Sequence, residues 1–339
     1  MKTSTSVKPV LALTLGDTNG IGPEILAKAM ERLASTLPCP VIVFGSLSIL
    51  ESMRQFAPKM PALYKLESLD AFDPERDGVP VYEAGCIPPP LRPGTLDAQA
   101  GKCAATWIEA ATKAALAGQI QGMVTCPVNK EGMLLSGCPH PGHTPMLAAL
   151  TGVSECHMSL FSDQMRIVHI TAHLSMADAV KAVTLDRVLC AINAGYATMR
   201  RLGFDAPRIA VAGLNPHAGE AGAFGLEEVE EIAPAVEAAC EQGIRCAGPV
   251  APDTVFQRMY AGEYDLVVAM YHDQGHIPFK LVGRDEGVHA TLGLPFIRTS
   301  PDHGTAFDIA GKGEAQAGSM CAAVELAAQW MLQYPENKT

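Results

Sequence analysis

Ten histidines stand in this 339-residue chain, and three of them close apolar runs in the same manner. His173 follows RIVHITA, His217 follows RIAVAGLNP and His272 follows DLVVAMY. If each run is a strand of an open α/β sheet, each imidazole emerges at a strand end, where such sheets place their ligands. Three imidazoles around one divalent ion, with positions left for substrate, make a catalytic rather than a structural metal centre. Histidine ligands suit Zn, Co, Mn and Ni, and a carboxylate in the site would admit Mg. Each histidine alone reads at least as well as a hydrogen-bonded turn residue; three in matching positions favour the metal.

Around these lie groups that could handle a substrate. In MYHDQGH, Asp273 and Gln274 offer a carboxylate and an amide to orient an imidazole or to meet a cofactor, with a solvated turn as the plain alternative. His276, past the presumed Gly275 turn, is a weaker ligand candidate. Lys280 and Arg298, with Arg284 as a further candidate, supply cations for a carboxylate or phosphate in an otherwise acidic chain. His143 and Thr144, in PGHT, add a neutral donor pair.

The loop GDTNGIGPE, Gly16 to Glu24, leaves a strand and enters a proline-started helix, so its backbone N–H groups and helix dipole could face an anion. Gly20 and Gly22 give G-x-G, but Ile25 stands where a dinucleotide fingerprint needs its third glycine. Gly101-Lys102 is followed by Cys103 and lacks the upstream glycine of a P-loop. Asp17 is expected as the exposed polar group of the first loop, and a tight turn explains its glycines equally well.

The elements that must position these residues alternate as βαβα, the pattern of an α/β protein with a largely parallel sheet. Strands are predicted at Val10–Leu15, Val41–Phe44, Gly122–Thr125, Met165–Thr171, Arg208–Ala212 and Asp265–Met270. Helices are predicted at Pro23–Leu33, Ala98–Ala117, Thr184–Leu202, Leu226–Glu241 and Gln316–Met331. The four prolines of Ile87 to Pro93 read as a rigid surface connection, and Ser136 to Thr144 as a crossover. The expected division is 1–135 with 300–339 as one α/β domain and 136–299 as the second.

A 48% hydrophobic and 18% charged composition provides for large buried cores. The net charge of −11 excludes a nucleic-acid footprint and an anionic membrane surface. The apolar run near the N-terminus is too short for a signal segment, and no stretch approaches a membrane span. Ten cysteines without a CxxC pair are expected to stay reduced, which places the chain in the cytosol. The terminal Asn337-Lys338-Thr339 sequon is then a chance match.

GDTNGIGPE, PGHT, TAHLS (171–175), GLNPHAGE (213–220), PDTVF (252–256), AMYHDQGHIPFK (269–280), TLGLPFIRTS (291–300) and DHGTAFDIAG (302–311) together resemble the 4-hydroxythreonine-4-phosphate dehydrogenase family. The resemblance runs nearly end to end. It implies two α/β/α domains like those of isocitrate and isopropylmalate dehydrogenases, an active site in the interdomain cleft, and a homodimer whose sites use both subunits. It also implies NAD or NADP held without a dinucleotide fingerprint. The family's metal histidines fall on His173, His217 and His272, its His-Thr pair on His143 and Thr144, and its substrate lysine and arginine on Lys280 and Arg298. Its substrate asparagine is replaced by His289 in GVHATLGLP. Thr18-Asn19 stand where Pro-Ala is usual, Pro145 where Glu is common, and Pro301 precedes Asp302. The HDQGHIPFK wording is similar to the catabolic branch, which acts on D-threonate or D-erythronate 4-phosphate and more distantly on aromatic cis-dihydrodiol carboxylates.

The chemistry expected is oxidation of a hydroxy acid phosphate, with the metal lowering the hydroxyl pKa and stabilising the charge left by a departing β-carboxylate. Lys280 is the expected proton carrier, with Asp273 in reserve, and Asp17, Gly20 and Gly22 are the expected cofactor contacts. A histidine-metal hydrolase or lyase fits three imidazoles as well on physical grounds, and a non-catalytic binding protein would be expected to have lost one of them.

Overall fold

The computed structural model describes residues 8–283 and 287–333; Arg284 and the terminal sequon lie outside the described residues. The chain forms two units, Met1–Ser154 with Leu294–Thr339, and Glu155–Gly293.

In the first unit, short apolar runs become strands buried on both faces: β1 (Leu11–Thr14), β2 (Val41–Phe44) and β5 (Gly122–Thr125). With β3 (Leu63–Lys65), β4 (Val79–Tyr82) and β12 (Ile297–Pro301) they run in the order β3-β4-β2-β1-β5-β12, every neighbouring pair parallel. Such burial requires helices on the sheet faces. They are α1 (Gly22–Leu33), α2 (Leu47–Ser52), α3 (Ala98–Leu116), α4 (Lys130–Leu135), α5 (His143–Thr151) and, from the chain's end, α11 (Gly318–Gln333). Asp97 caps α3 by accepting from the N–H groups of Gln99 and Ala100. A Cβ on Gly101 would lie 2.2 Å from the Gly132 carbonyl carbon, so this glycine lets α4 cross α3 closely and has no phosphate to meet.

The second unit carries β6 (His157–Phe161), β7 (Arg166–His169), β8 (Ile209–Ala212), β9 (Cys246–Val250), β10 (Leu266–Ala269) and β11 (Val288–Leu292) in the order β11-β6-β7-β10-β8-β9. Its helices are α6 (Met176–Ala182), α7 (Leu185–Arg201), α8 (Ala233–Glu241), α9 (Val255–Tyr260) and α10 (His272–Gly283). From β7 to β9 the pairs are parallel, whereas β11–β6 and β6–β7 are antiparallel. The uninterrupted βαβα order expected from the sequence therefore breaks here. Ser162 closes a tight β6–β7 hairpin, its N–H donating to the Met165 carbonyl at 2.8 Å and its hydroxyl accepting from the Met165 N–H at 3.1 Å.

The division also falls elsewhere than at 136 and 299. The chain from α4 through α5 packs on α3, and β12 pairs with β5, so both segments belong to the first unit. His143, Thr144 and Arg298 consequently sit in the first unit, while His173, His217, His272, Lys280 and His289 sit in the second.

Two of the ten cysteines, expected to be thiols, are joined as a Cys86–Cys103 disulfide. The chain leaving β4 folds back over α3, where Trp107 Nε1 donates to the Glu83 carbonyl at 3.0 Å and Gln99 Nε2 to the Ile87 carbonyl at 3.1 Å. That return brings the two Cα atoms to 5.5 Å, within bridging distance. A separation of 17 residues spells no motif, so only the packing reveals the pair. Disulfides persist in oxidising surroundings, and the cytosolic expectation loses the support it drew from free thiols. No described helix is long and apolar enough to cross a membrane.

Closing a loop of this length is worth about 3 kcal/mol through the unfolded chain. Urea unfolding should therefore show Cys103→Ala less stable than the parent by about that amount, with added reductant lowering the parent and leaving the variant unmoved. Equal midpoints for parent and variant without reductant would show that the bond contributes nothing.

Candidate functional site

In the second unit β7, β10 and β8 lie side by side and parallel, so their C-terminal ends open on one edge of the sheet. His173, His272 and His217 follow those three ends in turn. The ends are tied together. Thr171 Oγ1 donates to the Met270 carbonyl at 2.8 Å, joining the β7 and β10 exits. Gln274 Oε1 accepts from the Met270 N–H and its Nε2 donates to the Gly213 carbonyl, both at 2.7 Å, joining the β10 and β8 exits. Gln274 is buried, and its amide faces the backbone of two histidine loops.

The segment after β10 is helical, not the turn that the sequence implied: His272 opens α10. His272 Nδ1 donates to Asp273 Oδ1 at 2.7 Å, which orients the ring and, in its neutral form, places the lone pair on Nε2. Gly275 marks a close approach. A Cβ there would stand 2.3 Å from His169 Nε2, so only glycine lets the helix pass over that ring. His169, missed by sequence reasoning because it lies within a strand, donates from Nδ1 to the Met158 carbonyl at 3.2 Å. Burial first, and the nearby His276 second, push its pKa down to about 3, so it is neutral. His276 stacks on His272 at 3.6 Å between ring centroids, and His173 stands 6.0 Å from His272. Thr171, His173, Met176, Tyr271, His272 and Asp273 line a cavity of about 320 Å³.

His217 sits on a left-handed turn: residues 217 to 221 all have positive φ, and only Gly219 among them is a glycine. The buried Glu228 carboxylate holds the entry to this turn, accepting from the N–H groups of Leu214 (2.8 Å) and Asn215 (2.7 Å) and from Asn215 Nδ2 (2.9 Å). Among the described residues, the ligand atoms of His173, His217 and His272 do not all lie within 4.8 Å of one another. Removing the support at Glu228 should loosen the turn that carries His217: Glu228→Gln is expected to cost about 1–3 kcal/mol of stability. Denaturant midpoints read this, and an unchanged midpoint would show that Glu228 does not hold the turn.

The first unit gathers charge. Arg298, on β12 and 2% exposed, donates from Nη2 to Thr125 Oγ1 at 2.7 Å. Burial lowers its pKa to about 9, which leaves it cationic at neutral pH. His143 opens α5 after Gly142 at φ 113°, and its Nε2 is shut from solvent without a hydrogen-bond partner. Its pKa is held well below the usual histidine value, chiefly by burial and then by the charges of Arg298 and Lys130, against the pull of the Cys126 carbonyl. Two cations beside a neutral imidazole suit a carboxylate or phosphate. Lys130 escaped the sequence reading; its only signal is that it begins a helix directly after β5. Thr144 follows in the first turn of α5, half-buried. Lys280 lies in the last turn of α10, exposed, and His289 lies on β11 opposite Leu160.

The first loop departs from expectation. Asp17 is fully buried, not exposed. The N–H of Asp17 donates to the Pro127 carbonyl, that of Gly20 to the Asp17 carbonyl, and that of Ile21 to the Thr305 carbonyl, while the Asn19 N–H donates to Asp17 Oδ1. A Cβ on Gly20 would stand 2.9 Å from Thr305 Cβ, and one on Gly22 2.7 Å from the Leu15 carbonyl oxygen. Close packing thus accounts for both glycines, and the N–H groups of Asp17, Asn19, Gly20 and Ile21 are engaged inside the protein. Asn19 has its own task, accepting from the Arg92 N–H and donating to the Thr95 carbonyl, each at 3.0 Å.

Asp17 Oδ2 has no hydrogen-bond partner, and burial raises the carboxyl pKa to about 6 despite the backbone N–H groups of Asn19 and Asn129. The folded protein then keeps this proton to about pH 6, whereas an unfolded aspartic acid releases it near pH 4. Unfolding between those values liberates a proton, so stability falls as the pH rises through this window and stays lowered above it. Asp17→Asn should therefore stabilise the protein at pH 7 by up to about 3 kcal/mol and leave it near the parent at pH 4. Denaturant midpoints at the two pH values test this; an equal difference at both would mean that Asp17 ionises inside the fold without cost.

Residues 37–327 match the family model described as pyridoxal phosphate biosynthetic protein PdxA. A D-threonate 4-phosphate dehydrogenase of Pectobacterium atrosepticum is 42% identical over 329 residues, covering 94% of this chain and 98% of the relative. The crystal structure of a 4-hydroxythreonine-4-phosphate dehydrogenase from Klebsiella pneumoniae is 42% identical with a TM-score of 0.84, covering 96% of this chain and 99% of that one. A terephthalate 1,2-cis-dihydrodiol dehydrogenase from Burkholderia xenovorans is 29% identical with a TM-score of 0.69, covering 95% and 98%. By the extent and strength of these matches, the chain belongs to the PdxA family.

Proposed function

We propose that this chain is a divalent-metal-dependent dehydrogenase that oxidises a small phosphorylated hydroxy acid with NAD or NADP. D-threonate or D-erythronate 4-phosphate is preferred to 4-hydroxythreonine 4-phosphate, and carbon dioxide is released in the reaction. The names of the relatives support the activity and the phosphorylated substrate. The observation that carries the metal is the placement of His173, His217 and His272 beyond three adjacent parallel strand ends.

The residues fit a divalent ion, because the exposed Nε2 of His272 is set by Asp273 and the loops carrying the other two histidines are tied to the same edge. When bound, the ion would polarise the substrate hydroxyl and its neighbouring oxygen. Arg298, Lys130 and His143 would hold an anionic group, with Thr144 as a further donor. A neutral His143 ring whose Nδ1 faces the Cys126 carbonyl presents Nε2 as an acceptor, which suits a hydroxyl or a protonated phosphate oxygen. Lys280 would carry the proton, and Asp273, engaged with His272, would orient rather than transfer. Oxidation of a hydroxyl β to a carboxylate leaves a β-keto acid, which loses carbon dioxide readily.

Packing accounts for Gly20 and Gly22, and Asp17 is buried, so the nicotinamide acceptor rests on the dehydrogenase reading alone. A second copy of the chain is supported by Phe224, Leu226, Val229, Ile277 and Leu281, exposed apolar residues of the second unit. One observation favours a second reading: His289 in place of the family asparagine suits an aromatic dihydrodiol carboxylate.

NADH absorbance on addition of D-threonate 4-phosphate, D-erythronate 4-phosphate, 4-hydroxythreonine 4-phosphate or a dihydrodiol dicarboxylate, each with and without chelator, decides among these. Reduction should occur with a four-carbon acid phosphate, stop with chelator and be abolished in His217→Ala. Full turnover of that variant in chelator would exclude the metal, and substrate consumption without NADH would indicate a hydrolase or lyase.

A further inference from the structure

Away from the three strand-end histidines, the second unit brings together Glu155, His157 and Cys190, whose ligand atoms all lie within 4.8 Å of one another. Glu155 lies two residues before His157, which opens β6, and an extended chain turns alternate side chains to one side. Cys190 faces them from α7, which also presents Arg187 three residues earlier on the same helical face. His157 Nε2 stands 3.4 Å from Cys190 Sγ, and Arg187 Nε donates to Glu155 Oε1 at 2.8 Å.

Two features go beyond proximity. His157 is 2% exposed, and the His169 carbonyl stands beside its ring as a hydrogen-bond partner. With Nε2 turned to the sulfur, that carbonyl takes the Nδ1 proton, the arrangement that prepares a ligating imidazole. The nitrogen–sulfur separation is also that of a coordination shell. Tetrahedral bonds of about 2.0 Å to nitrogen and 2.3 Å to sulfur put the two ligand atoms about 3.5 Å apart. Arg187 holds one carboxylate oxygen of Glu155 and steadies it, and the same carboxylate meets the Cys190 thiol in a hydrogen bond.

The geometry points to a second divalent-metal site formed by Glu155, His157 and Cys190, of the thiolate-tolerant zinc class, with one position left for water or a small donor. Its donor set of one oxygen, one nitrogen and one sulfur selects Zn²⁺ or Co²⁺ over Mg²⁺, which takes oxygen ligands. Binding replaces the Cys190 thiol proton, which passes to solvent, and the ion joins the start of β6 to the middle of α7. The site does not depend on the function proposed above, since it shares no ligand with the histidine centre.

Cobalt distinguishes the two centres, because only a thiolate ligand gives an intense near-ultraviolet charge-transfer band. Chelator-stripped full-length protein titrated anaerobically with CoCl₂ should develop that band. Cys190→Ser should abolish it, the neighbouring Cys156→Ser should retain it, and His217→Ala should retain it whether or not the histidine centre binds metal. Glu155→Gln, which preserves shape, should weaken the Co²⁺ affinity read from the band at least tenfold. A parent protein without the band, a band that survives Cys190→Ser, or an affinity unmoved in Glu155→Gln overturns the assignment.

Discussion

Everything at the candidate centre depends on how three strand ends satisfy their backbone groups. A parallel strand that stops inside a protein leaves N–H and carbonyl groups that must find partners or cost free energy. At β10 the Met270 N–H is taken by Gln274 and the Met270 carbonyl by Thr171; at the β8 exit the Gly213 carbonyl is taken by Gln274 again. One buried amide therefore closes two strands and fixes the distance between the loops they feed. Because β7, β10 and β8 are parallel neighbours, three histidines a few residues beyond them are delivered to one edge, without any local signal to bring them together.

The β8 loop shows what this delivery costs. Left-handed backbone is disfavoured by about 1–2 kcal/mol for each residue with a side chain, and His217, Ala218, Glu220 and Ala221 all adopt it. The three bonds that Glu228 accepts are charge-assisted and contribute about 1.5–3 kcal/mol each. The two sums are of similar size. A turn that would otherwise relax is thus held by one buried carboxylate, which is why the GLNPHAGE segment must be read together with a residue that lies beyond it.

The sequence made legible what is local. β2 and β5 have their expected limits, α1, α3, α7 and α11 differ by a few residues, and the three strand-end histidines stand out because the apolar runs before them do. Strands carrying polar side chains stayed hidden: HMSLF, VHATL and IRTSP lack the apolar density of a strand, although β12 buries Arg298 beside Thr125. Also hidden were contacts between segments remote in the chain, including Gln274 with Gly213, His169 beneath Gly275, and Cys86 with Cys103. In GDTNGIGPE the residue types were read correctly as a strand-to-helix turn. Only the packing reveals that the Asp17 and Ile21 N–H groups are committed to Pro127 and Thr305.

On the function proposed above, selectivity would come from groups other than the three strand-end histidines, since an ion held by them would polarise any hydroxyl that reached it. Charge would make the first cut: Arg298 stays protonated despite burial, Lys130 stands by, and His143 is kept neutral, a set suited to an anion. On the same reading His289 would make the second. An asparagine at that place would offer a carbonyl oxygen and two N–H donors at short reach, whereas an imidazole offers one donor and one acceptor on opposite edges of a flat ring, or two donors when charged. A headgroup that uses both ends of an amide cannot be held in the same way by that ring. On the proposed reading the exchange would act on which hydroxy acid is accepted, and would leave the hydroxyl chemistry to the strand ends.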